Sequence, residues 1–598
     1  MNKTVGVVRP SQLITTFGPG AIVDLPDFSV IMGGINKWDH NTMLQYSSNI
    51  EEPRLKKKLR INKIKSIPIS GESSGIGTIP AYRFPEFHIC PTCRKLGTIW
   101  NFVEEEGVLY CQNPCKKIKT HPVRFLTACE NGHIDDFPWA FYVHSKHEKE
   151  YDYKKCKLYL KDTGKTGSLA DLIVRCDTCE IERTLADAYR SEKLLPKCKG
   201  RRPWLGSKNK SEDQCEKERK ILLRGASNLY FPVIESSIAI PFQSNPLEDL
   251  VSNKIDFSNE NLVNNKSNFQ FFVSMDKDLK QYDPEELWRI AQRLSASVDD
   301  DEDLLLPEWD AITSGQKYFD EPDFEVEKQP VPPRYEHLIS KLIRVKRLKE
   351  VMVLKGFTRI HPLPDATLRL SGEQSTEENS SETTMAPISD SKMDWLPGVE
   401  SFGEGVFLSL NEDVLNKWED EQSEYVNAMN QAHINQFRER NVPGELIPPF
   451  PGIRYVLLHT LSHALIRELC LHSGYSSSAL KERIYSDKEK EMAGILIYTA
   501  TVDSEGSLGG LVELGKTNHF ESILARALSS AFYCSGDPLC AEHDPERLHD
   551  INGAACHSCL LISETSCEKS NRYLDRSILV STVADHQREF FKNDGTRG

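Results

Sequence analysis

The sequence predicts a mixed α+β fold, divided over several domains and held together by cysteine-ligated structural zinc modules. A chain of 598 residues is too long for one hydrophobic core, and units of roughly 100 to 200 residues suit it better. Helical and strand periodicities alternate along it, with no repeat of fixed period. Its 16 cysteines are clustered: ten lie between Cys90 and Cys215, five lie between Cys534 and Cys567, and Cys470 stands apart.

Taken in order, the sequence divides into an N-terminal region (1–89), a zinc-rich region with two four-cysteine sites (90–230) and a mixed α/β middle (231–370). A flexible linker or loop (371–394), a C-terminal α/β core (395–533) and a terminal cysteine cluster (534–598) follow. In the middle region, Asp283, Pro284 and Glu286 read as an N-cap, a first-turn proline and a capping-box acid, opening a helix over Leu287 to Leu294. The acids from Asp299 to Asp303 repel one another too strongly for an element interior and predict a solvated loop. After Pro333, Leu338, Leu342, Val345, Leu348 and Val351 recur at helical spacing until Gly356, so a helix is expected, with Lys341, Arg344, Arg347 and Lys349 on a solvated face. The stretch SGEQSTEENSSETTMA from Ser371 to Ala386 is too polar to bury itself. Tyr455 to Leu469 reads as a helix, Gly494 to Val502 as a strand, and Phe520 to Phe532 as a helix again.

Composition bounds the function. Hydrophobic residues at 39% and charged residues at 27% are ordinary for a globular chain. No apolar run resembles a signal peptide or a membrane span, so a cytoplasmic location and no membrane contact are expected. In a reducing compartment, paired thiols bind metal more often than they form disulfides. A formal net charge of -14 argues against nucleic acid coating the whole surface, because such binding rests on Lys and Arg neutralising phosphates. Lys56, Lys57, Lys58, Arg60, Lys63 and Lys65 form a local basic run and are the nucleic-acid candidates.

The metal motifs are more specific. Cys90-x2-Cys93 and Cys111-x3-Cys115 are two knuckles, each turning two sulfurs to one point, and together they complete a four-thiolate zinc site. Cys176-x2-Cys179 makes another knuckle, for which Cys198 and Cys215 are the remaining ligands. Cys129-x3-His133, with His144, His147 and Cys156 beyond, could form a further site, but reads first as core and hydrogen-bonding material. At the C-terminal end Cys534, Cys540, Cys556, Cys559 and Cys567 compete for four places, with Cys534 or Cys567 the spare. Two or three Zn2+ ions are therefore expected, in closed sites that leave no position for a reactive water. Lys95, Lys116, Lys117 and Lys119 flank the first site, and Lys197, Lys199, Arg201 and Arg202 flank the second. They either balance thiolate charge or contact phosphate.

Two catalytic motifs fail on inspection. Gly510 to Thr517 spells the P-loop expression, yet Leu511, Val512 and Leu514 read as a buried apolar run and not as a phosphate cradle. His459 and His463 lie four apart on a helix as zinc-peptidase ligands would, but Thr460 stands where that chemistry needs a glutamate base, so they read as packing. No catalytic residue is assigned, and none for an organic cofactor.

Seven phrases carry a resemblance: RPSQLITTFGPGAIVDLPD (Arg9 to Asp27), ENGHIDDFPW (Glu130 to Trp139), RRPWLG (Arg201 to Gly206), RGASNLYFPVIESSIAIP (Arg224 to Pro241), GFTRI (Gly356 to Ile360), WLPGVESFGEGVFL (Trp395 to Leu408) and ACHSCLLISETSCEKSNRYLDR (Ala555 to Arg576). Together they resemble the DrmB family of the DISARM anti-phage system over nearly the whole chain. The part from about Ile453 to Val580 is similar to the domain that ends MrfA-type DNA repair helicases, where cysteines form a zinc site. Cys556, Cys559 and Cys567, with Cys534 or Cys540, fall on that pattern. The resemblance implies a non-catalytic subunit working beside a separate helicase-like ATPase of DrmA type, in a complex that engages foreign DNA while a methyltransferase marks self DNA. The readings it competes with are a zinc-dependent hydrolase or P-loop ATPase acting on nucleic acid, and a stand-alone nucleic-acid-binding protein.

Overall fold

The computed structural model describes residues 4–592 apart from 39–43, 69–76, 146–151, 153–154, 165–168, 192–193, 207–214, 242–246, 248–249, 252–253, 256–261, 263–264, 297–302, 315–322, 363–384, 440–441, 443, 445–446, 500–508 and 549. Most of the expected linker, the acidic run up to residue 302, and His147 therefore lie outside the described residues.

A nine-stranded sheet dominates the middle of the chain. Its strands are β1 (Asn49–Ile50), β2 (Lys63–Ser66), β3 (Phe231–Ala239), β4 (Glu325–Gln329), β5 (Ile339–Thr358), β6 (Ala386–Pro387), β7 (Trp395–Leu410), β8 (Leu480–Asp487) and β9 (Met492–Thr499). The main order is β3-β5-β7-β9-β8, with β4 and β6 also on β5, β2 parallel to β7, and β1 on β2. Segments far apart in sequence thus meet in one hydrogen-bonded body.

From Ile339 onward, the segment expected to be a helix from Leu338 to Val351 belongs to the 20-residue strand β5. Apolar positions three and four apart fit a strand as well once both of its faces are covered, and Ile343, Val345, Leu348 and Val351 are all buried here. β-branched Ile339, Ile343, Val345, Val351 and Val353 favour the strand. Its basic residues are not a solvated face. Arg344 and Lys346 meet Glu327 at 3.1 Å and at a shorter distance, Arg347 meets Glu325 at 3.0 Å, and Lys349 meets Asp323 at 3.2 Å. The pairs with Glu325 and Glu327 bind β4 to β5, Asp323 just before β4 takes Lys349, and together they occupy these cations. Gly356, read as a helix stop, lies within β5 opposite Val233.

The other expected elements lie close to their sequence positions. Helix α1 (Pro284–Ala296) starts at the expected proline. Asp303 caps helix α2 (Leu305–Ser314) by accepting from Leu305 N at 2.9 Å and Leu306 N at 3.2 Å. Helix α3 (Ile453–Ser473) is buried over nearly its whole length and is sealed by Gly474 in the left-handed region. Helices α4 (Gly510–Leu514) and α5 (Thr517–Phe532) follow β9 in sequence. The largest core gathers α3, α5, β8, β9 and residues beyond 551. Among the described residues no helix is long and apolar enough to cross a membrane.

Residues 87–184 build a separate six-stranded sheet, in the order His121–Pro122, Phe87–Ile89, Lys95–Thr98, Leu158–Asp162, Leu172–Cys176 and Ile181–Thr184. Beside it, strand Phe125–Ala128 pairs with Ile134–Asp136 on one edge and with Lys220–Leu223 on the other. One buried guanidinium, that of Arg359, ties this region to the large sheet. It donates to Gly132 O at 2.9 Å, Gly20 O at 2.7 Å and also to Leu229 O.

Candidate metal centres

Four cysteine-rich groups take shape on these elements, each with donor atoms within 4.8 Å of one another. The first is Cys90, Cys93, Cys111 and Cys115, grouped as their spacing suggests. Cys90 follows strand Phe87–Ile89 and Cys111 ends strand Val108–Cys111, so each knuckle is the turn of a local hairpin. Arg94, in the left-handed region, donates N–H to Cys90 O at 3.0 Å and closes the first turn. Sulfurs of Cys90 and Cys115 are 3.7 Å apart, and those of Cys93 and Cys111 3.8 Å.

The second and third groups differ from the expected pairing. Cys198 and Cys215 join Cys129 and His133, whereas Cys176 and Cys179 join His144 and Cys156. Strand pairing decides this. Lys220–Leu223 pairs with Phe125–Ala128, and Cys198 N donates to Lys217 O at 3.0 Å, which carries Cys198 and Cys215 to the turn of Cys129. Gly132 holds that turn with φ 75°, a conformation glycine adopts without a Cβ clash. Meanwhile Leu158 stands opposite Cys176, which delivers Cys156 to the Cys176–Cys179 knuckle. The Cys129–His133 pair, read above as core material, is thus half of a four-donor group, and His133 Nε2 is buried without a hydrogen-bond partner. His144 places Nδ1 2.6 Å from Ala140 O, so this nitrogen donates and Nε2, 3.6 Å from Cys156 Sγ, presents its lone pair.

The fourth group is Cys534, Cys540, Cys556 and Cys559, with Cys534 and Cys556 sulfurs 3.3 Å apart and those of Cys540 and Cys559 3.8 Å. Arg576, fully buried, braces the loop by donating to Ala531 O at 3.1 Å, Phe532 O at 3.0 Å and the Asp537 carboxylate. Cys567 is the cysteine outside this group. It lies with His459, His463 and Glu482, and the glutamate is a member that sequence reasoning missed because strand position carries no ligand signature.

Electrostatics favour a cation in the second and fourth groups. The hydrogen bond with Cys129 pulls the Cys198 thiol down to about 4 while pushing Cys129 well up, so crowded sulfurs here resist a second negative charge. A dication reverses that balance by stabilising every thiolate at once. Cys559 is likewise drawn down to about 5 by Cys540, which rises. None of the 16 cysteines is in a disulfide. Several flanking cations already have acidic partners: Lys117 with Glu105, Lys119 with Asp27, Lys197 with Glu218, and Arg201 with Asp135.

The basic run lies on helix Pro53–Leu59 and strand β2. Lys56 pairs with Glu51 at 2.6 Å, Lys58 with Glu235 at 2.8 Å, and Lys65 stands over Trp395. Arg60 and Lys63 are exposed, and Lys57 is half-buried.

The P-loop-like stretch forms helix α4. Its first amides are taken by the buried Glu404 carboxylate, which accepts from Gly509 N at 2.5 Å and Leu511 N at 2.7 Å. Lys516 pairs with Glu513 at 2.6 Å. The place a phosphate would need is filled by the chain's own carboxylate.

Comparison with known proteins agrees with this inventory. The family described as "Domain of unknown function (DUF8724)" matches residues 9–231, which hold the first three groups. The family described as "MrfA Zn-binding domain" matches residues 461–560, which hold all four cysteines of the fourth. Thiolate and imidazole donors in sets of four are those of structural zinc, and zinc is the cofactor of this chain. A protein from Bacillus paralicheniformis (strain ATCC 9945a / NCIMB 11709 / CD-2), described as "DISARM protein DrmB", is 33% identical over 590 residues, covering 95% of this chain and 100% of the relative. The long sequence phrases, the zinc-binding C-terminal part and this full-length identity converge: the chain belongs to the DrmB family of DISARM proteins.

Proposed function

We propose that this chain is a non-catalytic, zinc-stabilised subunit of an anti-phage defence complex, docking on a helicase-like ATPase of DrmA type and helping it bind foreign DNA. The observation that carries the proposal is the full-length identity to a protein described as DISARM protein DrmB. Zinc at Cys90, Cys93, Cys111 and Cys115, at Cys129, His133, Cys198 and Cys215, at His144, Cys156, Cys176 and Cys179, and at Cys534, Cys540, Cys556 and Cys559 is part of the proposal. Closed sets of this kind rigidify loops and leave no coordination position for a water nucleophile, which favours a docking scaffold over a hydrolase. Occupation of the α4 amides by Glu404 speaks against the P-loop reading.

DNA contact is proposed through the assembled complex, with Lys56, Lys57, Lys58, Arg60, Lys63 and Lys65 as the surface to test first. Reconstitution with the helicase-like ATPase tests the function. The ATPase should bind DNA more tightly in the presence of this subunit, and charge reversal at Arg60 and Lys63 should weaken that gain. Equal DNA affinities with and without the subunit overturn the docking role. Tight, salt-sensitive DNA binding by the chain alone would point to the stand-alone reading instead.

A further inference from the structure

A fifth group of donors lies inside the largest core, apart from the cysteine-rich loops. His459 and His463 are one turn apart on α3, Glu482 is on β8, and Cys567 is in the C-terminal segment. Their four donor atoms lie within 4.8 Å of one another, and all four residues are buried. We propose that His459 Nε2, His463 Nε2, Glu482 Oε1 and Cys567 Sγ form a closed, four-coordinate site for one structural zinc ion. This site is independent of the function proposed above.

The hydrogen-bond arithmetic carries the proposal. His459 Nδ1 lies 3.3 Å from Tyr573 O, and His463 Nδ1 lies 3.0 Å from Leu560 O. A backbone carbonyl only accepts, so both Nδ1 atoms donate, and each neutral ring turns the lone pair of Nε2 inward. His459 Nε2 then faces Glu482 Oε1 at 2.9 Å and Cys567 Sγ at 3.1 Å. A lone pair set against a carboxylate at that distance is repulsive unless something positive sits between them. His463 Nε2, 3.5 Å from Glu482 Oε1, and Glu482 Oε2 are buried and make no hydrogen bond. One proton on His459 could satisfy one contact, but it would leave His463 Nε2 orphaned, whereas a single cation satisfies both nitrogens, the sulfur and the carboxylate together. Supporting bonds already orient the anions: Cys567 Sγ accepts from Asn571 N at 3.1 Å and Lys569 N at 3.4 Å, and Glu482 Oε1 accepts from Glu568 N at 3.1 Å.

Charge fits burial. The four-thiolate groups carry two net negative charges with a dication bound, and the three-thiolate groups carry one. Here one thiolate and one carboxylate cancel the dication, so the complex is neutral. This suits a group whose four members are all buried, with both imidazoles fully so. The set of two histidines, one carboxylate and one cysteine suits zinc, and the cysteine closes the position that a catalytic site of two histidines and one glutamate keeps for water. The ion would therefore fasten α3, β8 and the C-terminal segment to one another without chemistry of its own.

Anomalous diffraction from crystals of the full chain, recorded on both sides of the zinc absorption edge, tests the site directly. A peak among the four atoms is expected. Peaks at the four cysteine-rich groups with none here overturn the proposal. As a second measurement, native mass spectrometry of Glu482→Gln, which keeps the shape but weakens the ligand, should show one zinc fewer per chain than wild type. An unchanged zinc count overturns the proposal as well.

Discussion

Metal stoichiometry in paired variants tests which cysteines belong together. Replacing Cys129 by serine should remove one zinc, replacing Cys198 should remove one, and the double variant should still lack only one, because both sulfurs serve the same ion. Cys176→Ser combined with Cys198→Ser should lack two. A structural zinc supplies on the order of 10 kcal/mol of apparent binding energy, comparable to the roughly 5–15 kcal/mol that holds a whole domain folded. Cys129 is fully buried, and Cys198 and Cys215 are 9% and 7% exposed, so an emptied site leaves thiols crowded in the interior with no solvent to relieve them. Loss of the ion should therefore free the chain around strands Phe125–Ala128 and Lys220–Leu223. Native mass spectrometry counts the ions, and limited proteolysis should place new cleavage in that region. Two zincs lost from the Cys129/Cys198 pair and one from the Cys176/Cys198 pair would refute the grouping.

Three further outcomes are expected. Glu308 is fully buried and grips Arg483 through both oxygens, at 2.6 and 2.9 Å, while accepting from Ile238 N and Tyr485 OH, so Glu308→Ala should destabilise the large sheet by about 3–5 kcal/mol in denaturant titration. A Cβ on Gly403 would stand 1.7 Å from Thr499 O across the β7–β9 pair, so Gly403→Ala should cost roughly 3 kcal/mol or prevent folding, read from the same titration. Burial, followed by Arg83 and Arg224, lowers His88 to about 3. Its folded value lies below the unfolded one, so its contribution is fully present above about pH 6.5 and is lost as pH falls toward 3, the loss reaching about 2 kcal/mol at pH 5. Nitrogen NMR of the imidazole should still report a neutral ring at pH 5.

Local signals were legible, and signals that depend on distant strands were not. The helix from Tyr455 to Leu469, the strand beginning near Gly494 and the helix from Phe520 to Phe532 announce themselves by length and periodicity, and each is present with modestly shifted ends. The first cysteine group could be read because both knuckles close within their own hairpins. The next two could not, because Cys198 is assigned to Cys129 by the pairing of Lys220–Leu223 with Phe125–Ala128, nearly a hundred positions away. β5 misled for a related reason: a strand covered on both faces loses the alternation that marks a half-exposed one, and its apolar spacing then imitates a helix. Glu482 could not be picked from sequence because only tertiary contact brings it to the histidine pair.

The burial of α3 has a consequence for biosynthesis. This helix has no water-facing stripe over most of its length, and although Leu415 and Trp418 precede it, much of its cover comes from β8, β9, α5 and the segment beyond residue 551, all translated after it. While the ribosome is still adding those residues, the helix lacks much of its cover, and many of its leucines face solvent or a chaperone. The last segment, which has little regular secondary structure yet buries Leu574, Arg576, Ile578 and Leu579, then completes the enclosure. A nascent chain halted shortly before that segment would carry the same sequence of helix and sheet yet behave as a sticky intermediate, which makes synthesis of that segment the step that commits this half of the molecule to its fold.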